Sequence, residues 1–134
     1  MSRFCIDTSG YSQFKRGHQE VTELLDAATY VAVPSIVIGE LWIGFLGGAR
    51  VRENELELSQ FLEHRVVEEV PVDRDVARIY AEIVWALKAK GTPLPTNDIW
   101  IAAAAVRVGA TVLTFDDHFR AIERVGSLVL EANA

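Results

Sequence analysis

Three acidic residues stand where the chain passes from one kind of segment to the next, and a fourth lies about one turn into a helical run. They are Asp7 after Phe4-Cys5-Ile6, Glu40 within the apolar run 36–46, Asp98 in Thr96-Asn97-Asp98-Ile99, and Asp116 after Thr111-Val112-Leu113-Thr114. Carboxylates gathered without a cation repel one another and raise each other's pKa, so a cluster of them calls for a positive ion. Oxygen donors favour a hard ion, Mg²⁺ or Mn²⁺, with water filling the remaining positions. An ion held this way activates water and clamps a phosphate during in-line displacement, which points to phosphodiester hydrolysis. Zinc is disfavoured, because His18, His64 and His118 lie at no ligand spacing and the single cysteine, Cys5, cannot build a thiolate site or an internal disulfide.

Each acid also has a plainer explanation. An acid in a helix's first turn is favoured by the helix dipole, worth roughly 0.3 to 1 kcal/mol, and Asp98 fits that description. Glu40 can be a partly exposed surface residue, but it is the only charge between positions 36 and 46. A carboxylate on so apolar a helix must be paired, protonated or metal-bound, since burying it alone costs several kcal/mol.

The segments that must position these acids read as alternating strands and helices. Phe4-Cys5-Ile6 is a short buried strand ending at Asp7, followed by one amphipathic helix over 12–28. In that helix Phe14, Val21, Leu24 and Leu25 face the core, while Lys15, Arg16 and His18 face water. A strand at 30–33 is broken by Pro34, Ser35 caps a helix over 36–46, and Gly47-Gly48 ends it. A charged helix over 50–65 leads to a strand at 66–70, and Asp73 caps a long helix, Arg74–Lys90, stopped by Gly91. Thr96 or Asn97 caps the next helix, and Gly109 closes it. The strand Thr111–Thr114, an acidic turn, a short helix to about 124 and a last strand at 127–131 complete the chain.

Such alternation implies a mainly parallel sheet of four to five strands with right-handed crossovers, covered on both faces by helices. Ligands in these sheets bind beyond the C-terminal strand ends. Asp7 and Asp116 follow strand ends, and crossover helices start on that same edge, so Asp98 and Glu40 belong there too. The helix over 36–46 is also greasy on every side, leaving Trp42 and Phe45 either buried or facing a partner.

The chain has 134 residues, 50% of them apolar and 24% charged, which fits a single globular domain over 1–134. Its start reaches an acid after a very short apolar run, so neither a signal peptide nor a membrane span is expected, and the reading is cytosolic. A net charge of −6 repels nucleic acid on average. Action on a polyanion therefore needs a bound cation or a local basic patch.

Ile6-Asp7-Thr8-Ser9, Ile38-Gly39-Glu40-Leu41, Asn97-Asp98 before Ile101-Ala102-Ala103, and Thr114-Phe115-Asp116-Asp117-His118-Phe119 occur in that order. In this arrangement the chain resembles the PIN-domain ribonucleases, in particular the small VapC-type toxins of prokaryotic toxin–antitoxin pairs. The resemblance runs from Phe4 to about Leu130 and implies a three-layer α/β/α PIN-like fold. It implies a catalytic set of Asp7, Glu40, Asp98 and Asp116, with Asp7 and Asp98 holding Mg²⁺ most directly, Glu40 binding or orienting water, and Asp116 completing the site or holding a second ion. Asp117 competes with Asp116 for the fourth place, and the spacing to Thr114 and Phe119 favours Asp116, leaving Asp117 as the cap of the short helix. Thr8, Ser9, Asn97 and Thr114 are candidates to touch the carboxylates or the phosphate, or are ordinary turn residues. Arg16, with Lys15, Arg50 and Arg52, is a candidate for the RNA backbone or a solvated charge.

The resemblance further implies an RNA substrate, a homodimer, and an antitoxin whose C-terminal segment wraps the toxin, a mode that Trp42 and Phe45 would suit. A phosphatase or dehalogenase, and a phospho-accepting receiver domain, both want a second acid near Asp7 and a late lysine. Position 9 is serine, and no lysine follows Lys90. The remaining alternative is a catalytically inactive PIN domain that binds RNA or protein.

Overall fold

The computed structural model describes residues 2–132. In chain order the elements are β1 (Arg3–Ile6), α1 (Thr8–Lys15), α2 (Gln19–Ala27), β2 (Tyr30–Pro34), α3 (Ser35–Leu46), α4 (Val51–Leu62), β3 (Val67–Val70), α5 (Arg74–Lys90), α6 (Thr96–Val108), β4 (Thr111–Thr114), a 3-10 turn (Asp117–Ala121) and β5 (Ser127–Val129). All strand pairs are parallel, in the order β3-β2-β1-β4-β5.

The chain steps outward from β1 to β2 to β3, then crosses back to β4 on the other side of β1. With right-handed crossovers, outward steps and the return step put their helices on opposite faces, which produces the three layers. The central strands are buried on both faces, so β1 and β2 read as continuous apolar runs rather than alternating ones. Helix α6 lies against β1, β2 and β4 and carries α5 on its outer side. Its run Ala102–Ala105 is fully buried, and these small side chains let it sit close between sheet and helix.

The single helix expected over 12–28 is two helices. Gly17 takes φ +81, a left-handed conformation that favours glycine, and His18 then starts α2. His18 is not turned to water but is 4% exposed. Its Nδ1 accepts from Val21 N–H, its Nε2 lies 2.9 Å from the Glu131 carbonyl, and its ring meets Phe115 edge-on. The imidazole is the polar plug that joins the α1–α2 turn to the end of the chain.

Other boundaries shift for identifiable reasons. Helix α1 begins at Thr8, directly after Asp7, and α6 begins at Thr96 with Pro95 as its cap residue and no side-chain cap. Neither Thr96 nor Asn97 caps it. Ser35 is the first residue of α3 rather than its cap, and its hydroxyl donates to the Val70 carbonyl. The charged helix is the shorter α4, and the last strand stops at Val129. Among the described residues no helix is long and apolar enough to cross a membrane.

Candidate active site

Asp7 leaves β1 with extended backbone (φ −92, ψ −177) and caps α1. Its Oδ1 accepts from Gly10 N–H at 2.7 Å and from Ser9 Oγ at 2.8 Å, and its Oδ2 accepts from Thr114 Oγ1. Both hydroxyls are themselves pinned. Ser9 Oγ accepts from Phe115 N–H at 3.0 Å, and Thr114 Oγ1 accepts from Asp116 N–H at 2.9 Å. Each hydroxyl has one proton, and each gives it to Asp7, so the turn after β4 is tied to the turn after β1 through a single carboxylate. The side chain is 4% exposed. Burial raises its pKa most strongly, the three donors pull it partly back, and the charge on Asp98 raises it again.

Close approach makes this knot achievable. A Cβ at position 10 would lie 2.6 Å from the Leu113 carbonyl and 2.9 Å from Ile6 Cγ1. Only glycine lets α1 come down onto the sheet far enough for its N–H to reach Asp7.

Asp98 lies in the first turn of α6, and Asp116 caps the 3-10 turn by accepting from His118 N–H at 2.9 Å. The cap is thus Asp116 and not Asp117, which is the exposed first residue of the turn. His118 Nδ1 faces both acids, 2.8 Å from Asp98 Oδ2 and 3.1 Å from Asp116 Oδ1. Ligand atoms of Asp98, Asp116 and His118 all fall within 4.8 Å of one another. Desolvation raises the Asp98 pKa, the hydrogen bond from His118 lowers it, and the charges of Asp116 and Glu40 raise it. The hydrogen bond to Asp98 in turn raises the His118 pKa.

Glu40 arrives from the second turn of α3, where Thr8 Oγ1 donates to Oε1 and Asn97 Nδ2 donates to Oε2 at 3.2 Å. Helices α1, α3 and α6 therefore meet at one carboxylate. All four acids assemble at the C-terminal edge of the sheet, and Thr8, Ser9, Asn97 and Thr114 are the groups that orient them. Sequence reasoning missed His118 and Gly10. The signal for His118 was its place two residues after Asp116; nothing at Gly10 distinguishes a close approach from an ordinary turn.

The remaining candidates lie to one side. Lys15, Arg16 and Arg50 line one groove between α1, α3 and α4, with Lys15 paired to Glu57 and Arg50 to Glu53. Arg16 has no ion pair among the described residues. Arg52 is exposed and stands outside that lining. Trp42 and Phe45 are half-buried and packed against each other at 5.6 Å. The apolar side chains that α3 leaves in solvent are Ile43 and Leu46, 74% and 69% exposed.

The donor set fits a hard divalent cation. Carboxylates converge from separate segments, and their repulsion is offset locally by one imidazole. Asp7 has three of its roughly four acceptor sites filled, so one lone-pair direction is left for an ion or its water.

The chain is similar to known proteins along most of its length. Ribonuclease VapC5 of Mycobacterium tuberculosis is 31% identical over 123 residues, 92% of this chain and 90% of that protein. The crystal structure of VapBC-5 from M. tuberculosis matches with a TM-score of 0.74 and 28% identity, over 97% of this chain and 100% of that one. That of VapBC2 from Rickettsia felis, bound to a DNA fragment from its promoter, matches the fold with a TM-score of 0.84 at 22% identity, covering 96% and 98%. The family model of the PIN domain matches residues 4–125, and the chain belongs to the PIN domain family.

Proposed function

We infer that this chain is a divalent-metal-dependent endoribonuclease, the toxin of a toxin–antitoxin pair, which hydrolyses RNA phosphodiester bonds at the Asp7–Glu40–Asp98–Asp116 site. The observation that carries this reading is the meeting of four carboxylates at one sheet edge in a PIN domain whose relatives are named ribonucleases. An antitoxin partner follows from the 28% identity to VapBC-5, a member of a family of toxin–antitoxin systems. On this reading Asp98 and Asp116 hold the ion, with Asp7 completing the set, and Mg²⁺ is the expected ion, with Mn²⁺ as a substitute.

When bound, the ion supplies charge neutralisation for the scissile phosphate and a more acidic water. The chain's own residues do the rest. Glu40, held by Thr8 and Asn97, is aimed at the site to orient the attacking water and take its proton. Ser9 and Thr114 fix Asp7, so that its carboxylate does not reorganise as charge develops. Arg16 grips the RNA backbone beside α1, and α3 offers the apolar surface for the antitoxin or for a second copy of the chain.

A cleavage time course on structured and unstructured RNA tests the reading, with Mg²⁺, Mn²⁺ or EDTA and wild type against Asp98→Asn. Cleavage that needs metal and disappears in the mutant is expected. A folded, metal-binding, partner-free protein that cuts no RNA would instead be an inactive PIN domain acting as a binding module.

A further inference from the structure

We propose that His118 Nδ1 is a ligand of the divalent ion alongside Asp98 and Asp116, and that this nitrogen tilts the site toward Mn²⁺ over Mg²⁺. The proposal rests on the metal-dependent reading above and adds to it a residue outside the four acids.

The placement of the ring is the argument. The turn after Asp116 is anchored by Phe119, fully buried, and by the bond from His118 N–H to Asp116 Oδ1. These contacts fix where the His118 backbone stands and aim the side chain back over the acids. The ring is 42% exposed, so packing does not force it inward. Even so, a single nitrogen, Nδ1, points between carboxylates carried by two different segments, at 2.8 and 3.1 Å. That atom can offer a proton to one acid or a lone pair to an ion lying between them. Ligand atoms around one six-coordinate ion of this class, each about 2.1 Å from it, lie roughly 3 to 4.2 Å apart. The three donors here all fall within 4.8 Å of one another, so small side-chain movements bring them onto one ion. Neutral imidazole with its proton on Nε2 then donates from Nδ1, and the exposed Nε2–H is met by water. A nitrogen donor among oxygens favours the transition ion over Mg²⁺, which binds oxygen almost exclusively.

Calorimetric titration of Mn²⁺ and Mg²⁺ into the full-length, partner-free protein tests this, comparing wild type with His118→Ala and His118→Gln. Removing the imidazole is expected to weaken Mn²⁺ about tenfold or more and Mg²⁺ by much less, so the Mn²⁺/Mg²⁺ preference falls. Pulsed electron paramagnetic resonance on Mn²⁺-loaded wild type, which needs no variant, is expected to show the coupling of a coordinated imidazole nitrogen, lost in His118→Ala. Absence of that coupling, or an unchanged ion preference in variants that melt like wild type, overturns the proposal. Tighter binding of both ions without the ring also overturns it, since His118 would then be a stand-in that the ion displaces. Asp98→Asn separates the two readings. If it abolishes Mn²⁺ binding while wild type shows no nitrogen coupling, only the role of His118 fails. A wild-type protein that binds neither ion removes both.

Discussion

At Asp7 the carboxylate is 4% exposed and receives one backbone N–H and two hydroxyls, all supplied by residues that are themselves held in place. At Asp98 the side chain keeps 18% of its surface in water, and its partner is the His118 ring, 42% exposed. One half of the acidic site is thus completed by buried donors, whereas the other is closed by a partly exposed side chain. The cost of gathering negative charge is divided accordingly. Around Asp7 it is partly offset by fixed dipoles, and around Asp98 and Asp116 by one imidazole, with the rest left for a cation.

The largest expected effect lies on the open half. Asp98→Asn should lower RNA cleavage at least about a hundredfold while leaving the melting temperature equal to or above that of wild type, because it removes a charge disfavoured by desolvation and by the Asp116 and Glu40 carboxylates. Asp7→Ala should also abolish cleavage but lower the melting temperature, since it strands buried donors worth about 1–3 kcal/mol. If both variants melt alike, the two halves do not differ in the way described. Next in size is Gly10→Ala, whose added methyl must displace the Leu113 carbonyl. A loss of about 1–3 kcal/mol in urea unfolding is expected, with cleavage impaired in the fraction that remains folded. Thr114→Val keeps the shape but removes both the donor to Asp7 and the acceptor for Asp116 N–H, for about 1–2 kcal/mol.

The smallest effect is one of pH. Asp7 and Asp98 both have folded pKa values raised above 3.8, so at these two positions the folded chain holds more protons than the unfolded one just above that value, while Glu57 and Glu82, lowered by Lys15 and Arg124, pull the other way. The contribution of Asp7 and Asp98 to metal-free stability should therefore fall as pH rises from about 3.8 through the raised values, opposite to the usual carboxylate trend. A saturating divalent ion should reverse the slope, because protons compete with it. Thermal melts with and without metal across that range would show it. A wild-type stability, taken relative to Asp98→Asn, that climbs through the window would contradict the raised value of Asp98.

The strand–helix alternation and the convergence of Asp7, Glu40, Asp98 and Asp116 were legible because they follow from period and position alone, since any residue just past a parallel strand lands on the same edge. Details that depend on contacts across the chain were not. The break at Gly17-His18 was hidden because the helical spacing of Phe14, Val21 and Leu25 continues through it, and His18 is buried by Glu131 and Phe115, far along the sequence. The capping of α6 was misplaced because Asn97 has a better partner in Glu40 than in its own helix. Spacing among the histidines does not reveal His118, because its partners are acids brought to it by the fold.

The order of the sheet has a consequence for how the protein is made. Strand β1 lies between β2 and β4, with Cys5 beside Val112, so the first strand waits for one of the last to complete its surroundings. During translation Asp7, Glu40 and Asp98 are all made before Thr114 and Asp116. On the proposed function, a nascent or prematurely terminated chain carries no complete site and is inert toward the RNA around it. The hazard to the cell that makes this protein begins only when β4 docks against β1, which gives a co-produced inhibitor the whole span of synthesis in which to be ready.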